Sequence, residues 1–184
     1  MCSIAKMGAK SFSRAAFRRF LRDRRGVSMV EFAIIAAPLF LFIFGVIEIA
    51  LIFGATYALE NATNDAARLV RTGQAQNGAM DANALKAAIC NEVFLISNCS
   101  SGLQLDVRSF PNFAAATAPP ATDSNGNLVT NFQYAPGDGG DIVLVTAYYE
   151  WPLIGLLSSS LGNLNDGNRL LQATALFRNE PFGP

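Results

Sequence analysis

The dominant pattern in the chain is a long apolar run from Phe32 to Gly54, in which Glu48 is the only charged residue. The first 16 residues of this run carry no charge, and the whole run has 23 residues. Because an α-helix rises about 1.5 Å per residue, a helix of this length spans more than about 30 Å, the thickness of the hydrocarbon core of a bilayer. The pattern therefore predicts one membrane-crossing helix.

Beyond the apolar run, apolar residues recur at steps of three and four, which is typical of a helix with one buried face. Gly73 is suited to end this helix, so we predict a single helix from Val27 to Thr72. Its first half would cross the membrane and its second half would pack against a head domain. The positions that carry the pattern are Leu59, Ala62, Ala66 and Leu69.

The remaining sequence predicts a small head with both helix and sheet. Asp81 is a good N-cap for a short helix that ends near Val93. Three stretches rich in apolar residues, beginning at Leu103, Ile142 and Leu170, predict strands. We therefore expect an α+β fold, in which about three strands form a small antiparallel sheet packed on the long N-terminal helix.

In two of these strands, the sequence raises the question of which side chains lie in the core and which lie at the surface. The first strand alternates apolar and polar residues, which predicts one face in the core and one face in water. Its polar residues are Gln104, Asp106 and Arg108. The second strand contains Tyr148, Tyr149 and Trp151, which belong either to the core or, if exposed, to an interface with a partner.

Charge is distributed unevenly, although the chain has no net charge at pH 7. Residues 1–25 contain eight lysines and arginines against one acid, whereas the residues beyond Gly54 contain six bases and eleven acids. Basic residues that flank a membrane span remain in the cytoplasm, so the N-terminus is expected inside and the head outside, which in a bacterium is the periplasm. The predicted divisions are a basic cytoplasmic leader (1–26), a transmembrane half-helix (27–54) and a periplasmic head (55–184).

Two of the three cysteines, Cys90 and Cys99, lie nine positions apart near the end of the short helix. In an oxidising periplasm this spacing favours a disulfide that closes a small loop. A metal site at the pair is the alternative, but the chain has no histidine and no second cysteine pair. Cys2 lies in the leader and is expected to remain a free thiol.

Glu31 stands at the entrance of the apolar run, where an unpaired charge costs on the order of several kcal/mol. Cleavage of the chain after Gly26 would supply a partner for it. Val27 would become the new N-terminus, Glu31 would be the fifth residue, and the ammonium group of a neighbouring subunit could neutralise the carboxylate. This is the arrangement of a type IV pilin.

The residues around this site resemble the TadE-like minor pilins, or pseudopilins, of the Tad (tight adherence, Flp) pilus system. The shared features are a basic residue before glycine, a Val-Glu-Phe-Ala core, and a proline and a Gly-x-x-Glu motif inside the apolar helix. In this chain they are Arg25-Gly26, Val30-Glu31-Phe32-Ala33, Pro38, Gly45 and Glu48. Phe32 stands where the major Flp pilins carry tyrosine.

The resemblance implies that the chain is processed by a peptidase and that it has a defined set of partners. A prepilin peptidase would cleave between Gly26 and Val27, and the mature protein would associate with the major Flp pilin, other minor pseudopilins and the inner-membrane assembly platform. Localisation would be the bacterial inner membrane, crossed once, with entry into the extracellular pilus as a further expectation. Nucleic acid is not an expected partner.

Within the apolar helix, the resemblance assigns two kinds of role. Glu31, Phe32 and Glu48 would take part in subunit association, although Glu48 could instead reach toward lipid headgroups. Pro38 and Gly45 would allow the helix to bend or partly melt during packing into a filament, and a kink without function is the alternative for the proline.

Little in the sequence points to catalysis or to a bound cofactor. Two short acidic segments, 123–127 and 137–141, superficially resemble calcium loops, but their spacing favours ordinary turns. Without a histidine or a recognisable nucleophile motif, we expect no enzyme activity, no cofactor and no metal site. The alternative function is a permanently anchored single-span protein whose periplasmic domain binds or scaffolds a partner. A secreted enzyme would be a third class.

Overall fold

The computed structural model describes residues 26–153 and 158–182. Residues 1–25 of the predicted basic leader, including Cys2, lie outside the described residues. By its internal contacts the chain divides after Phe44 into two units. The described part of the first unit is the beginning of one long helix, and the second unit contains the rest of that helix and the head.

The long helix, α1, spans Val27–Arg71 and contains 45 residues, which confirms the predicted helix to within one residue. It continues through Pro38 without a break. Arg68 and Arg71 lie in its last turn, where cations interact favourably with the negative end of the helix dipole. Gly73 follows with φ of 75°, a conformation that favours glycine, and its N–H donates to the Val70 carbonyl at 3.1 Å.

The head sheet has three antiparallel strands, β1 (Leu103–Phe110), β2 (Ile142–Trp151) and β3 (Arg169–Arg178), in the order β1-β2-β3. At its centre Val145 pairs with Val107 on one side and with Ala175 on the other. These strands and the α1 helix confirm the predicted α+β fold. The central strand is buried along nearly its whole length, which explains why its sequence is almost continuously apolar.

One face of the sheet shares the hydrophobic core with the second half of α1. The helix contributes small residues at most of its core positions, and small side chains allow helix and sheet to approach closely. The buried apolar positions of α1 beyond Ile52 are Ala55, Leu59, Ala62, Ala66, Ala67 and Val70, and the polar Thr63 is buried among them. Their spacing of three and four matches the predicted buried face of the helix.

The other face of the sheet is partly covered, which the alternation in β1 did not predict. Asp106, expected to face water, is only 1% exposed. The chain returns along the free edge of β1, where the Val107 N–H donates to the Gln133 carbonyl and the Ala135 N–H donates to the Val107 carbonyl, both at 2.8 Å, and Phe132 of this segment packs on Tyr148 across the face. The prediction for Asp106 is wrong because a distant segment, not solvent, covers that part of the strand.

The tyrosines of β2 belong to the core, so their alternative interpretation as exposed interface anchors is wrong. Tyr148 is fully buried and its ring lies 5.4 Å from that of Phe132 in the covering segment. Burial, reinforced by the nearby Asp106 carboxylate, raises the pKa of Tyr148. Tyr149 is also buried, and its hydroxyl donates to the Ser97 carbonyl at 2.7 Å. Trp151 is half-buried.

Short helices connect these parts of the head. The longest, Ala82–Glu92, begins as predicted after Asp81, whose carboxylate accepts a hydrogen bond from the Ala84 N–H at 2.7 Å. We number the helices after α1 in chain order as α2 (Gln74–Asn77), α3 (Ala82–Glu92), α4 (Cys99–Gly102) and α5 (Ser158–Leu161), and a 3-10 turn covers Phe113–Ala115.

Both segments that superficially resembled calcium loops form turns. The Asp123 carboxylate accepts hydrogen bonds from the N–H groups of Asn125 and Asn127 at 2.8 and 2.9 Å, and these donors lower its pKa, the Asn127 bond contributing most. In the second segment the Asp138 N–H donates to the Asp141 carboxylate at 2.9 Å. In both cases the aspartate stabilises its own turn.

Cys90 and Cys99 form a disulfide, as predicted, which links the end of α3 to the start of α4. Replacing both cysteines by serine should lower the free energy of unfolding by about 2 to 3 kcal/mol, because a loop of this size becomes unconstrained in the unfolded chain. Urea unfolding of the purified full-length chain, with its leader retained, in a mild detergent measures the loss. The matched control is Cys2→Ser, which should leave the unfolding midpoint unchanged, and an equal shift in both proteins would contradict the prediction.

Candidate functional site

The first half of α1 presents an exposed apolar surface. Among the described residues, α1 is the one helix long and apolar enough to cross a membrane. Its large apolar side chains are exposed: Met29 is 79% exposed, Phe32 68% and Phe42 69%. An exposed apolar surface of this extent is typical of a membrane-crossing helix or of an interface with other apolar helices.

The predicted cleavage position lies at the beginning of this surface. Val27 is the first residue of α1 and is about half exposed. A Cβ atom added at Gly26 would meet no other atom within 4 Å. The peptide bond between these two residues therefore lies at a helix end with open space beside it, where a peptidase could reach it.

Glu31 lies one helical turn after Val27, on the same side of α1, because residues four apart share a helix face. Its side chain is exposed, and within the described part of the chain no hydrogen bond or ion pair holds the carboxylate. The carboxylate is thus positioned to accept a cation from outside the chain.

Glu48 differs from Glu31 because it is only 6% exposed. It opens the series of buried α1 positions that continues through Ile52, Ala55 and Leu59. The structure therefore places the two glutamates in different surroundings, one on an open surface and one covered within its own unit. A contact of Glu48 with a neighbouring subunit stays a prediction, and it would require this covering to be displaced.

The two residues predicted to bend α1 are both helical in this structure. Pro38 is exposed and lies within the helix, while Gly45 is partly buried. Their role in bending or melting stays a prediction.

Over residues 26–153 and 158–182, no group of three or more histidine, cysteine or carboxylate side chains is placed to hold a metal ion.

The sequence predictions omitted one residue that is prominent in the structure. Phe94 lies in the connection between α3 and α4 and is 87% exposed. It stands within the apolar tetrapeptide Val93-Phe94-Leu95-Ile96, where the residues on either side are partly or fully buried. A continuous apolar stretch of this kind gives no periodic signal that could separate its exposed member from the buried ones.

Comparison with known proteins gives a match over the region that begins at the predicted cleavage position. A family model described as TadE-like protein matches residues 26–68. The match begins at Gly26 and extends into the part of α1 that packs in the head. Comparisons with curated proteins and with solved structures give no match. Residues 26–68 of this chain are thus a TadE-like segment, which confirms the family resemblance drawn from the sequence.

Proposed function

We propose that this protein is a minor pilin, or pseudopilin, of a Tad-type pilus. It is made as a precursor in the bacterial inner membrane, with its leader in the cytoplasm and its head in the periplasm. A prepilin peptidase cleaves it after Gly26, and the mature protein joins other pilins and the assembly platform through the first half of α1. In this proposal it acts by association and not by catalysis.

The observation that carries the proposal is the combination of a TadE-like segment with an exposed apolar half-helix that begins at its first residues. The TadE-like segment supports an association with Tad pilus components. The exposed apolar surface supports a role in which this half-helix first lies in lipid and then packs against the apolar helices of other subunits. The orientation rests on the concentration of lysine and arginine in residues 1–25.

The proposed association pairs Glu31 of one subunit with the Val27 ammonium of another. A free α-amino group has a pKa of about 7.7 to 8.0, so it is largely charged at neutral pH. Two opposite charges brought together among apolar helices attract each other strongly because little water screens them. Neither charge is stable there alone, so the pairing would favour correctly aligned neighbours.

The processing step is tested by the N-terminus of the protein recovered from membranes. We expect sequencing and intact mass to give Val27 as the first residue. Substituting Gly26→Leu should leave the precursor uncleaved, because a prepilin peptidase would no longer find a small residue at the bond. The control is Gly54→Ala, at a glycine inside α1 where an added Cβ atom would be 3.5 Å from the nearest side chain. This control protein should be processed normally.

The same measurement separates this proposal from the alternative. A permanently anchored scaffold protein would retain Met1 or its neighbour as the first residue, and the Gly26→Leu variant would behave like the parent protein. A mature protein that begins before Gly26 in cells that make pili would refute the proposed processing.

A further inference from the structure

Phe94 is the most exposed large hydrophobic side chain among the described residues. The connection that contains Phe94 is held in place by its other residues. Val93 and Ile96 on its two sides are buried, and the disulfide between Cys90 and Cys99 closes the loop. The Ser97 carbonyl is further held by the Tyr149 hydroxyl. A single exposed apolar side chain is common on protein surfaces, so the surroundings of Phe94 decide whether it marks a contact outside the chain.

The position of the loop along α1 indicates what that contact is. The Leu95 side chain lies against Gly54, where an added Cβ atom would be 3.5 Å from Leu Cδ1. Phe94 and Leu95 share a cleft of about 390 Å³ with Gly54 and Tyr57 of the helix. Gly54 is the last residue of the apolar run, so Phe94 lies beside the part of α1 that would emerge from lipid.

Two exposed aromatic residues of α1 lie close in sequence to Gly54, where the apolar run ends. Phe53 is 70% exposed and Tyr57 is 67% exposed, one just before and one just after Gly54. Tyrosine and tryptophan concentrate at membrane–water interfaces because their rings are apolar and their polar tips stay hydrated, whereas phenylalanine supplies only the apolar contact with the acyl chains. Tyr57 lines the same cleft as Phe94, while Phe53 lies in another cleft near the end of the apolar run.

We propose that Phe94 inserts into the interface of the bilayer that α1 crosses and holds the base of the head against the membrane. This inference rests on the membrane crossing in the proposed function and adds a second, peripheral lipid contact to it. Two carboxylates, Asp65 and Glu92, line the same cleft. Asp65 lies 11 residues beyond Gly54, about 16 Å along the helix axis, so it remains in water. Glu92 would stay at the level of the headgroups.

The opposite end of the head supplies a matched control. Phe113 is also an exposed phenylalanine, at 56%, and follows the end of β1. At that end of β1, Phe110 pairs with Ile142 of β2, and Ile142 pairs with Arg178 of β3. The neighbouring Glu180 N–H donates to the carbonyl of Arg71 at the far end of α1. Phe113 is therefore remote from Gly54 and should contact only water.

The experiment uses single tryptophan reporters in the full-length chain, reconstituted into phosphatidylcholine vesicles with or without bromine atoms on the acyl chains. The native tryptophan is removed by Trp151→Phe, and Phe94→Trp, Phe113→Trp and Phe42→Trp are compared.

Bromine quenches tryptophan only on close contact. We expect Phe94→Trp to lose more than half of its emission in brominated vesicles and to show a blue-shifted maximum, while Phe113→Trp keeps its emission. If Trp151→Phe impairs folding, the same comparison is made as a difference from the parent protein.

The Phe42→Trp reporter separates the two hypotheses, because this residue lies inside the apolar run. Strong quenching of Phe42→Trp without quenching of Phe94→Trp would overturn the lipid contact and leave the proposed function intact. No quenching at Phe42→Trp would overturn the membrane crossing and both proposals with it. Equal quenching at Phe94→Trp and Phe113→Trp would also overturn the inference, since simple exposure would then explain the signal.

Discussion

Substituting Glu31→Gln is expected to reduce pilus assembly at least about 100-fold, while the protein remains in the membrane and is still cleaved after Gly26. Glutamine has almost the shape of glutamate but no charge, so the helix and its apolar surface are retained. The Val27 ammonium of a neighbouring subunit would then have no counter-charge among apolar helices. Leaving one partner of a buried ion pair unpaired costs about 3 to 5 kcal/mol, and each 1.4 kcal/mol is about tenfold in association.

The matched control for this prediction is Glu60→Gln, which removes an exposed carboxylate from the same helix outside the apolar run. Pili sheared from cells carrying each variant are quantified against the parent, and membrane fractions report the amount and size of the unassembled protein. Normal pili from the Glu31→Gln strain would refute the pairing. Loss of pili together with accumulation of uncleaved protein would place the effect on processing instead of association.

The long helix and the strands could be predicted from sequence because their signals are local. The apolar run, the three-and-four spacing beyond it and Gly73 each lie within the element that they define, and α1 ends within one residue of the predicted position. The central strand, Ile142–Trp151, has the predicted bounds because both of its faces are buried and its sequence is apolar nearly throughout.

The features that the sequence did not predict depend on segments far apart in the chain. Asp106 is covered by the backbone around Gln133, 27 positions later, and no pattern within β1 indicates this. Glu48 has the same sequence context as any acid in an apolar run, and only the packing of the second unit shows that it is buried. Local periodicity distinguishes a core face from an open face but does not identify which distant segment closes over the open one.

Substituting Asp106→Ala is expected to destabilise the head by about 3 to 5 kcal/mol, because it leaves a partly buried cation without its counter-charge. The Asp106 carboxylate accepts two hydrogen bonds from the Arg108 guanidinium, at 2.7 and 3.1 Å, and a third from the Gln133 N–H at 2.9 Å. The aspartate side chain is 1% exposed and that of Arg108 is 24% exposed. The carboxylate thus joins β1 to the segment that covers it.

Urea unfolding of the full-length protein in mild detergent measures the loss of stability, and hydrogen exchange at the Val107 and Ala135 amides reports whether the covering segment separates from β1. Exchange at these two amides should accelerate more than exchange in β2, because the hydrogen bond to Gln133 is lost on the covered side only. The control is Asp65→Ala on the exposed face of α1, which should change stability by less than about 0.5 kcal/mol.

A double variant that lacks both Asp106 and Arg108 tests the ion pair. Its loss of stability should be smaller than the sum of the losses in the two single variants, because the double variant leaves no unpaired charge. Strict additivity of the two losses would show that the ion pair does not couple these residues and that burial of Asp106 is maintained by the covering segment alone.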